Sequence, residues 1–302
     1  MTNVSLSDIS TTLSTDLEPA TCPICGPDTS AVLRYDFDPY KVLACSSCGL
    51  NYLSPRMTET AILKLYKDEA YYNSNVSGQG YDEYLDIGNN WEKTFRLRLK
   101  QIAPHKSSGR VLDIGCGPGY FLTAAQKLGF DVYGLDPSDY IVAQASKTWG
   151  ERIQLGTIDT ANYQPGYFDL IVAFDTFEHI YEPGKFISAV HRLLKPGGVL
   201  AITTPDPTSV LAKLSGRNWV SFKLPEHVFY WSSQTIRRLL EEQYEVLEVR
   251  RAGQYATLGF LFRRLFRLSN NPGKLINSVI NFLNRLSIYS DNGSLTAIAK
   301  KR

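Results

Sequence analysis

The 302-residue sequence predicts an α/β fold: a largely parallel sheet with helices on both faces, preceded by a small four-cysteine module. Three observations predict it. A strand-like run at 111–114 opens into glycines at alternate positions, Gly115, Gly117 and Gly119, and then into a helix-like run, YFLTAAQKLG. Further apolar strand segments recur downstream with helical stretches between them, the alternation that builds a parallel sheet. Upstream, two C-x-x-C pairs, Cys22/Cys25 and Cys45/Cys48, stand 19 residues apart, each followed by a glycine.

A strand, a glycine turn and a helix N-terminus give a backbone that a ligand can approach closely, because no Cβ intervenes. A dinucleotide loop reads G-x-G-x-x-G, its third glycine helping to seat a pyrophosphate. Here the third glycine comes one residue early and Tyr120 takes that place. Asp113, inside the strand, suits an amine-bearing or cationic ligand better than a pyrophosphate. DVYGLDPS makes the second strand and ends at Asp136, about 20 residues past the loop, where an acid can take two ribose hydroxyls. RIQLG makes a short third strand. The apolar stretch 170–174 makes a fourth and runs into Asp175, Glu178 and His179, and Pro196-Gly197-Gly198 turns tightly into a fifth.

On these residues, across 110–205, the sequence resembles the class I S-adenosylmethionine-dependent methyltransferases. The resemblance implies a Rossmann-like, seven-stranded, mostly parallel sheet that ends in an antiparallel strand. It also implies S-adenosylmethionine bound at Asp113, Gly115, Cys116, Gly117, Gly119, Asp136, Pro137 and Phe174, with Thr157, Ile158 and Asp159 flanking the adenine. Read by itself, Cys116 is most simply a small packing residue. A nicotinamide-dependent oxidoreductase on the same sheet and a non-catalytic scaffold with a vestigial core are the alternatives.

The paired cysteines have zinc-ribbon spacing. Each pair makes a tight knuckle, and four thiolates complete a tetrahedron around Zn²⁺ with no open position, so the expected role is structural. VLRYDF and KVLAC fit the ribbon's two strands. Nucleic acid is the rival partner that a ribbon suggests, with an RNA methyltransferase as the corresponding enzyme. Charge opposes it: net charge is only +2, and the ribbon offers just Arg34 and Lys41 between its cysteine pairs. The excess of cations lies at the far end, where 250–302 holds ten Lys/Arg against one acid.

Four parts are expected along the chain. Residues 1–20 form a Ser/Thr-rich tail unlike a signal peptide, 21–56 the ribbon, 57–108 a helical cap or lid, and 109–302 the core. Helical periodicity marks 61–66 and 91–102. Between them Tyr71, Tyr72, Tyr81 and Tyr84 read either as a substrate-facing lid or as cap packing. No apolar run reaches membrane-spanning length, and the expected setting is cytoplasmic with reduced thiols.

Ribbon, tyrosine segment and core in this order look like the sugar C-methyltransferases, which act on keto groups of nucleotide-linked sugars, and like small methyltransferases of glycan synthesis. The sugar enzymes carry a further C-terminal α/β domain that does not follow here. The implied acceptor is a sugar-like or glycan-related small molecule, free or lipid-linked, with C-, O- and N-methylation all open.

Methyl transfer is an in-line displacement at an activated sulfonium, so the protein must align the nucleophile and exclude water. A hydroxyl or a ketone-adjacent carbon also needs a base. Of the four histidines, His105 and His191 read as structural or exposed. His179 follows the fourth strand at its carboxyl end, where open α/β sheets place ligands. His227 lies beyond the fifth, and Glu226-His227 matches a pair that abstracts a proton in the sugar enzymes. The expectation is His227 as base, oriented by Glu226 and supported by His179. The competing use is a divalent ion held by Asp175, Glu178, His179 and His227, the first three sharing a face of one helical turn, as in a metal-assisted O-methyltransferase.

EVLEVR and SLTAIAKK look like the final antiparallel pair, here interrupted by an insertion at about 256–290. Leu258, Leu261, Phe262, Leu265 and Leu268 share one helical face beside Arg263, Arg264 and Arg267. Ile276, Val279, Ile280, Leu283 and Leu286 repeat the pattern. Two such amphipathic helices suit an anionic membrane surface at the inner face of a membrane or a partner's groove. Packing on the chain's own core, or a homodimer, is the alternative.

Overall fold

The computed structural model describes residues 16–67, 88–265 and 273–302. Its centre is a seven-stranded sheet built from β6 (Arg110–Ile114), β7 (Asp131–Asp136), β8 (Ile153–Leu155), β9 (Phe168–Phe174), β10 (Leu194–Pro205), β12 (Tyr244–Thr257) and β13 (Ser287–Lys301). The spatial order is β12-β13-β10-β9-β6-β7-β8. β8, β7, β6, β9 and β10 are parallel, whereas β13 runs antiparallel between β10 and β12. The expected α/β fold with an antiparallel end is therefore the observed one.

The strands alternate their side chains between two cores, as a period of two requires. Leu112, Ile114, Ile171, Ala173, Leu200 and Ile202 face one way; Val111, Leu170, Val172, Val199 and Ala201 face the other. The second face is covered by α2 (Gly88–Ile102), α3 (Tyr120–Gln126) and α4 (Asp139–Trp149). The first is covered by α5 (Pro183–Leu193), α7 (Ser233–Leu240) and the cysteine module, which shares its core through Cys22, Cys45, Cys48, Leu50 and Tyr52.

In that module β2 (Ala31–Phe37), β3 (Tyr40–Cys45) and β4 (Asn51–Leu53) form an antiparallel sheet whose fourth strand, β11 (Phe229–Tyr230), comes from the catalytic half of the chain. β1 (Leu17–Glu18) pairs with β5 (Arg56–Met57), and α1 (Glu59–Lys67) follows. The four tyrosines of the expected lid lie outside the described residues.

The insertion is a helical hairpin on a long ribbon. β12 and β13 pair as far as Thr257 and Ser287, beyond the last paired residue of β10, Pro205. α8 (Leu258–Leu265) and α9 (Lys274–Leu283) cap the ribbon. Periodicity carried the second helix to Leu286, but α9 stops at Leu283, and Ile288 pairs with Ala256 in the ribbon. The long antiparallel ladder takes over the backbone bonds that a further helical turn would have made. Leu268 and Arg267 lie outside the described residues.

Candidate active site

The glycine loop joins β6 to α3 at the carboxyl edge of the sheet. Gly115 and Gly119 have φ of 73° and 88°, which L-residues rarely adopt. A Cβ on Gly115 would run into Thr176, and one on Gly119 into the Trp149 indole. The Gly117 N–H donates to Asp136 Oδ2 and the Ser138 N–H to Asp136 Oδ1, each at 3.0 Å. The acid at the end of β7 is thereby tied to the loop at the end of β6. Both acids of this cradle are buried. Burial pushes the Asp136 carboxyl up to about 6, against its two amide donors. Asp113 is held well above the carboxylate range by burial and then by the charge of Asp136, with Arg98 opposing.

The remaining residues expected at the cofactor fall into three environments. Pro137 is half-buried beside Asp136 and Thr157 half-buried in the loop after β8, where Asp159 is exposed. Ile158 points into the sheet's core. Phe174 packs on Phe95 and Phe121 with centroids 6.0 and 5.4 Å apart, inside the other core. Cys116 is buried there too, its sulfur against the Cα side of Gly134, where a Cβ would lie 2.7 Å away.

A second cluster lies past the end of β9. Asp175 takes φ 54°, and its carboxylate is gripped by Arg98 Nη1 and Nη2, both at 3.0 Å. Residues Phe177–His179 make a single 3₁₀ turn rather than an α-helix. The shared helical face expected for Asp175, Glu178 and His179 is consequently broken. Three donors do converge: atoms of Glu178, His179 and His227 lie within 4.8 Å of one another, and Asp175, paired with Arg98, is not among them.

The His227 ring is fixed from both sides. Nδ1 lies 2.9 Å from the Ser221 carbonyl, which can only accept, so the proton sits on Nδ1 and Nε2 keeps its lone pair. Nε2 stands 4.0 Å from Glu178 Oε1. His179 meets this ring edge-on at 4.6 Å, and its Nδ1 lies 3.0 Å from the Tyr66 hydroxyl. Glu226 is buried beside His227 in sequence, but the carboxylate at the imidazole's Nε2 belongs to Glu178.

Burial pushes the Glu178 carboxyl up to about 8, with Asp175 adding to it. It also brings His179 down to about 3, and His227 well below the imidazole range with help from His179 and Lys223. Near neutral pH both rings are uncharged. Among the described residues Glu178 Oε2 makes no close hydrogen bond, although the Thr204 side chain is near enough to oppose the rise. His105 bonds Glu248 at 3.1 Å and His191 packs edge-on against Tyr244, so both stand apart from the cluster.

Residues 81–248, more than half of the chain, match the methyltransferase domain family. The chain belongs to that family. It is an S-adenosylmethionine-dependent methyltransferase, and the family implies that cofactor. Among curated relatives, a ubiquinone biosynthesis O-methyltransferase of Nitrobacter winogradskyi is 34% identical over 132 residues, covering 40% of this chain and 46% of that protein. Another, of Xanthomonas campestris pv. campestris, is 28% identical over 180 residues, covering 53% and 75%. The chain thus spans about half the length of the first of these relatives.

Solved structures share the methyltransferase fold. A chain of the complex between the Haloferax volcanii Trm112 methyltransferase activator and a putative methyltransferase aligns with a TM-score of 0.53 at 18% identity, covering 78% of this chain and 98% of that one. An S-adenosylmethionine-dependent methyltransferase of Archaeoglobus fulgidus aligns at 0.50 and 20%, covering 73% and 100%. At these identities the likeness is one of fold.

The methyltransferase's cysteine cluster fits a tetrahedral thiolate site. The sulfurs of Cys22, Cys25, Cys45 and Cys48 lie within 4.8 Å of one another, with Cys22 and Cys48 3.5 Å apart. The knuckles close through Gly26 N–H to Cys22 O and Gly49 N–H to Cys45 O, both 2.9 Å.

Sequence reasoning missed Arg98, Ser221 and Tyr66. Arg98 left a readable signal: it lies on the same helical stripe as Phe95, Leu99 and Ile102, and a cation on an apolar stripe needs a buried partner. Tyr66 left none, because its partner lies 113 residues away; Ser221 is close to His227 in sequence, but it contributes a backbone carbonyl, which any residue type would supply.

Proposed function

We propose that this methyltransferase moves the methyl group of S-adenosylmethionine onto a hydroxyl or ketone-adjacent carbon of a sugar-like small acceptor, with His227 as general base. The fixed tautomer carries the reading: Ser221 holds the Nδ1 proton, so Nε2 offers its lone pair at the carboxyl edge of the sheet. A base positioned in this way supplies roughly 10²–10⁴ in rate. Desolvation keeps the ring unprotonated and ready, at the expense of basicity. Glu178, 4.0 Å from Nε2 and mostly protonated near neutral pH, would stabilise the imidazolium by giving up its own proton as the ring takes one. Glu226 and His179 complete the setting, Glu226 next to the base in the chain and His179 edge-on to its ring.

The cradle fits the cofactor. Glycines remove the side chains that would block close approach, Asp136 offers its carboxylate to ribose hydroxyls, and Asp113 offers a buried carboxyl that an arriving ammonium group would ionise. The bound cofactor supplies the electrophilic methyl group. Gly115, Cys116, Gly117 and Gly119 would pass beneath it through their backbone, with Pro137 and the 157–159 loop toward the base. Phe174 would act from behind, by filling the core under the cradle.

A second reading rests on the convergence of Glu178, His179 and His227. These three would hold a divalent ion, and two imidazoles with one carboxylate suit a first-row transition metal. It would lower the pKa of an acceptor hydroxyl. Methyl transfer from labelled cofactor to a panel of sugars, nucleotide sugars and phenols, with and without chelator, tests both. Turnover that survives chelation supports the base, and turnover lost with chelator and restored by Mn²⁺ or Mg²⁺ transfers the role to the metal. Failure of every hydroxyl and ketone acceptor overturns both readings.

A further inference from the structure

We propose that the face formed by 207–225, 256–265 and 273–290 docks on an anionic lipid bilayer. This goes beyond methyl transfer and does not depend on which acceptor is used. Of the fourteen large apolar side chains that stand exposed among the described residues, ten lie on these segments. Leu214 is 82% exposed, Phe282 64% and Val210 59%. No packing among the described residues accounts for them. The hairpin already closes on its inner side, where Ile280 is fully buried and Gly259 lets α8 approach the Ile280 carbonyl. Ile276, Val279 and Phe282 are left outside that contact.

The ribbon joins the segments, with the hairpin at its far end and α6 (Val210–Ser215) at its base. α6 begins just past the end of β10, and Leu211 Cβ lies 3.4 Å from the position a side chain on Gly293 would take, at the base of the projecting ribbon. Farther out on the ribbon Ile288 and Tyr289 are exposed as well. This is the carboxyl edge of the parallel strands. The first segment also contains Ser221, whose carbonyl holds His227, so the face continues into the site.

Charge selects the occupant. These segments hold seven Lys/Arg and no Asp or Glu, although the chain as a whole has 30 acids. Exposed apolar groups on segments whose charged residues are all cations, with Asp291 at their border, match an anionic interface, with the apolar tips in the acyl boundary and the cations at the headgroups. A second copy fits poorly, since a two-fold contact would set this patch against itself, cation facing cation. Spanning is excluded by length: no helix among the described residues is long and apolar enough to cross a membrane, and α9 has ten residues.

Co-sedimentation of the full chain with vesicles tests the proposal, using phosphatidylcholine alone and phosphatidylcholine with phosphatidylglycerol. The protein should pellet with the anionic vesicles at low salt, stay in solution with the neutral ones, and bind about tenfold more weakly as salt is raised. Leu214→Glu combined with Phe282→Glu, and separately Lys213→Glu combined with Arg217→Glu, should each weaken binding about tenfold or more. Unchanged affinity for S-adenosylhomocysteine shows that either variant is folded. Wild-type protein remaining in the supernatant with anionic vesicles at low salt overturns the proposal. So does pelleting that neither variant reduces, or a wild-type dimer that Leu214→Glu/Phe282→Glu dissociates while no vesicle is bound.

Discussion

The Val228 N–H donates to the Glu178 carbonyl at 2.9 Å, and the Val228 carbonyl accepts from Leu53 of the cysteine module at the same distance. The residue next to His227 thus joins the turn after β9 to the ribbon's last strand. Phe229 and Tyr230 continue the link by pairing with Tyr52 and Asn51. The module is therefore joined through backbone to the segment that carries His227.

Removing the metal should show this. Chelation, or Cys45→Ser, should raise amide exchange at Leu53 and Val228 about tenfold or more, because opening the ribbon frees both ends of that ladder. The central strands β6 and β9 should stay protected. Exchange mass spectrometry measures it, and a Val228 region indifferent to the metal would detach the module from the site.

The core was legible in the sequence because its signals are local. Strand, glycine turn and helix follow one another through 110–126, and the cysteine knuckles repeat at fixed spacing. The histidine site was legible only in its parts. His179 and His227 were visible, but Tyr66 reaches His179 through folding alone, Ser221 acts through a backbone carbonyl that carries no residue signature, and Asp175 was misplaced because its left-handed φ cancels the helical periodicity assumed for 175–179. The sharing of Phe229–Tyr230 between core and ribbon had no sequence signal, since two residues are too few to show a period.

Gly119→Ala should cost about 1–3 kcal/mol in stability, from the positive φ and the collision with the Trp149 indole. Denaturant unfolding measures it. Affinity for S-adenosylhomocysteine should fall with it, since the loop must shift to relieve the contact.

Asp136→Asn gives a pH test. The folded carboxyl titrates near 6 against an ordinary value of 3.8, so the folded state holds its proton longer than the unfolded state. The stability associated with that proton is full below 3.8 and is lost as pH rises through 6. Across this window the variant should gain on the wild type, because it has no proton to lose. Thermal or denaturant melts at several pH values report the difference, and a constant gap would contradict the assignment.

Tyr66→Phe removes one hydroxyl, 3.0 Å from His179 Nδ1. A hydrogen bond of this kind is worth about 0.5–1.5 kcal/mol, so turnover should fall about two- to tenfold with cofactor affinity unchanged. Steady-state rates together with calorimetric titration of S-adenosylhomocysteine separate this from a general loss of structure.

The most direct test of His227 as base is its replacement by Gln, which keeps a polar side chain of similar reach but cannot take up the proton. With labelled S-adenosylmethionine at saturation and an acceptor that the wild type methylates, turnover should fall about 10²-fold or more. Calorimetric affinity for S-adenosylhomocysteine should stay within about twofold, because the ring's contacts are with Ser221, Glu178 and His179 and not with the Asp113–Asp136 cradle. Turnover near the wild-type value in His227→Gln would contradict the account.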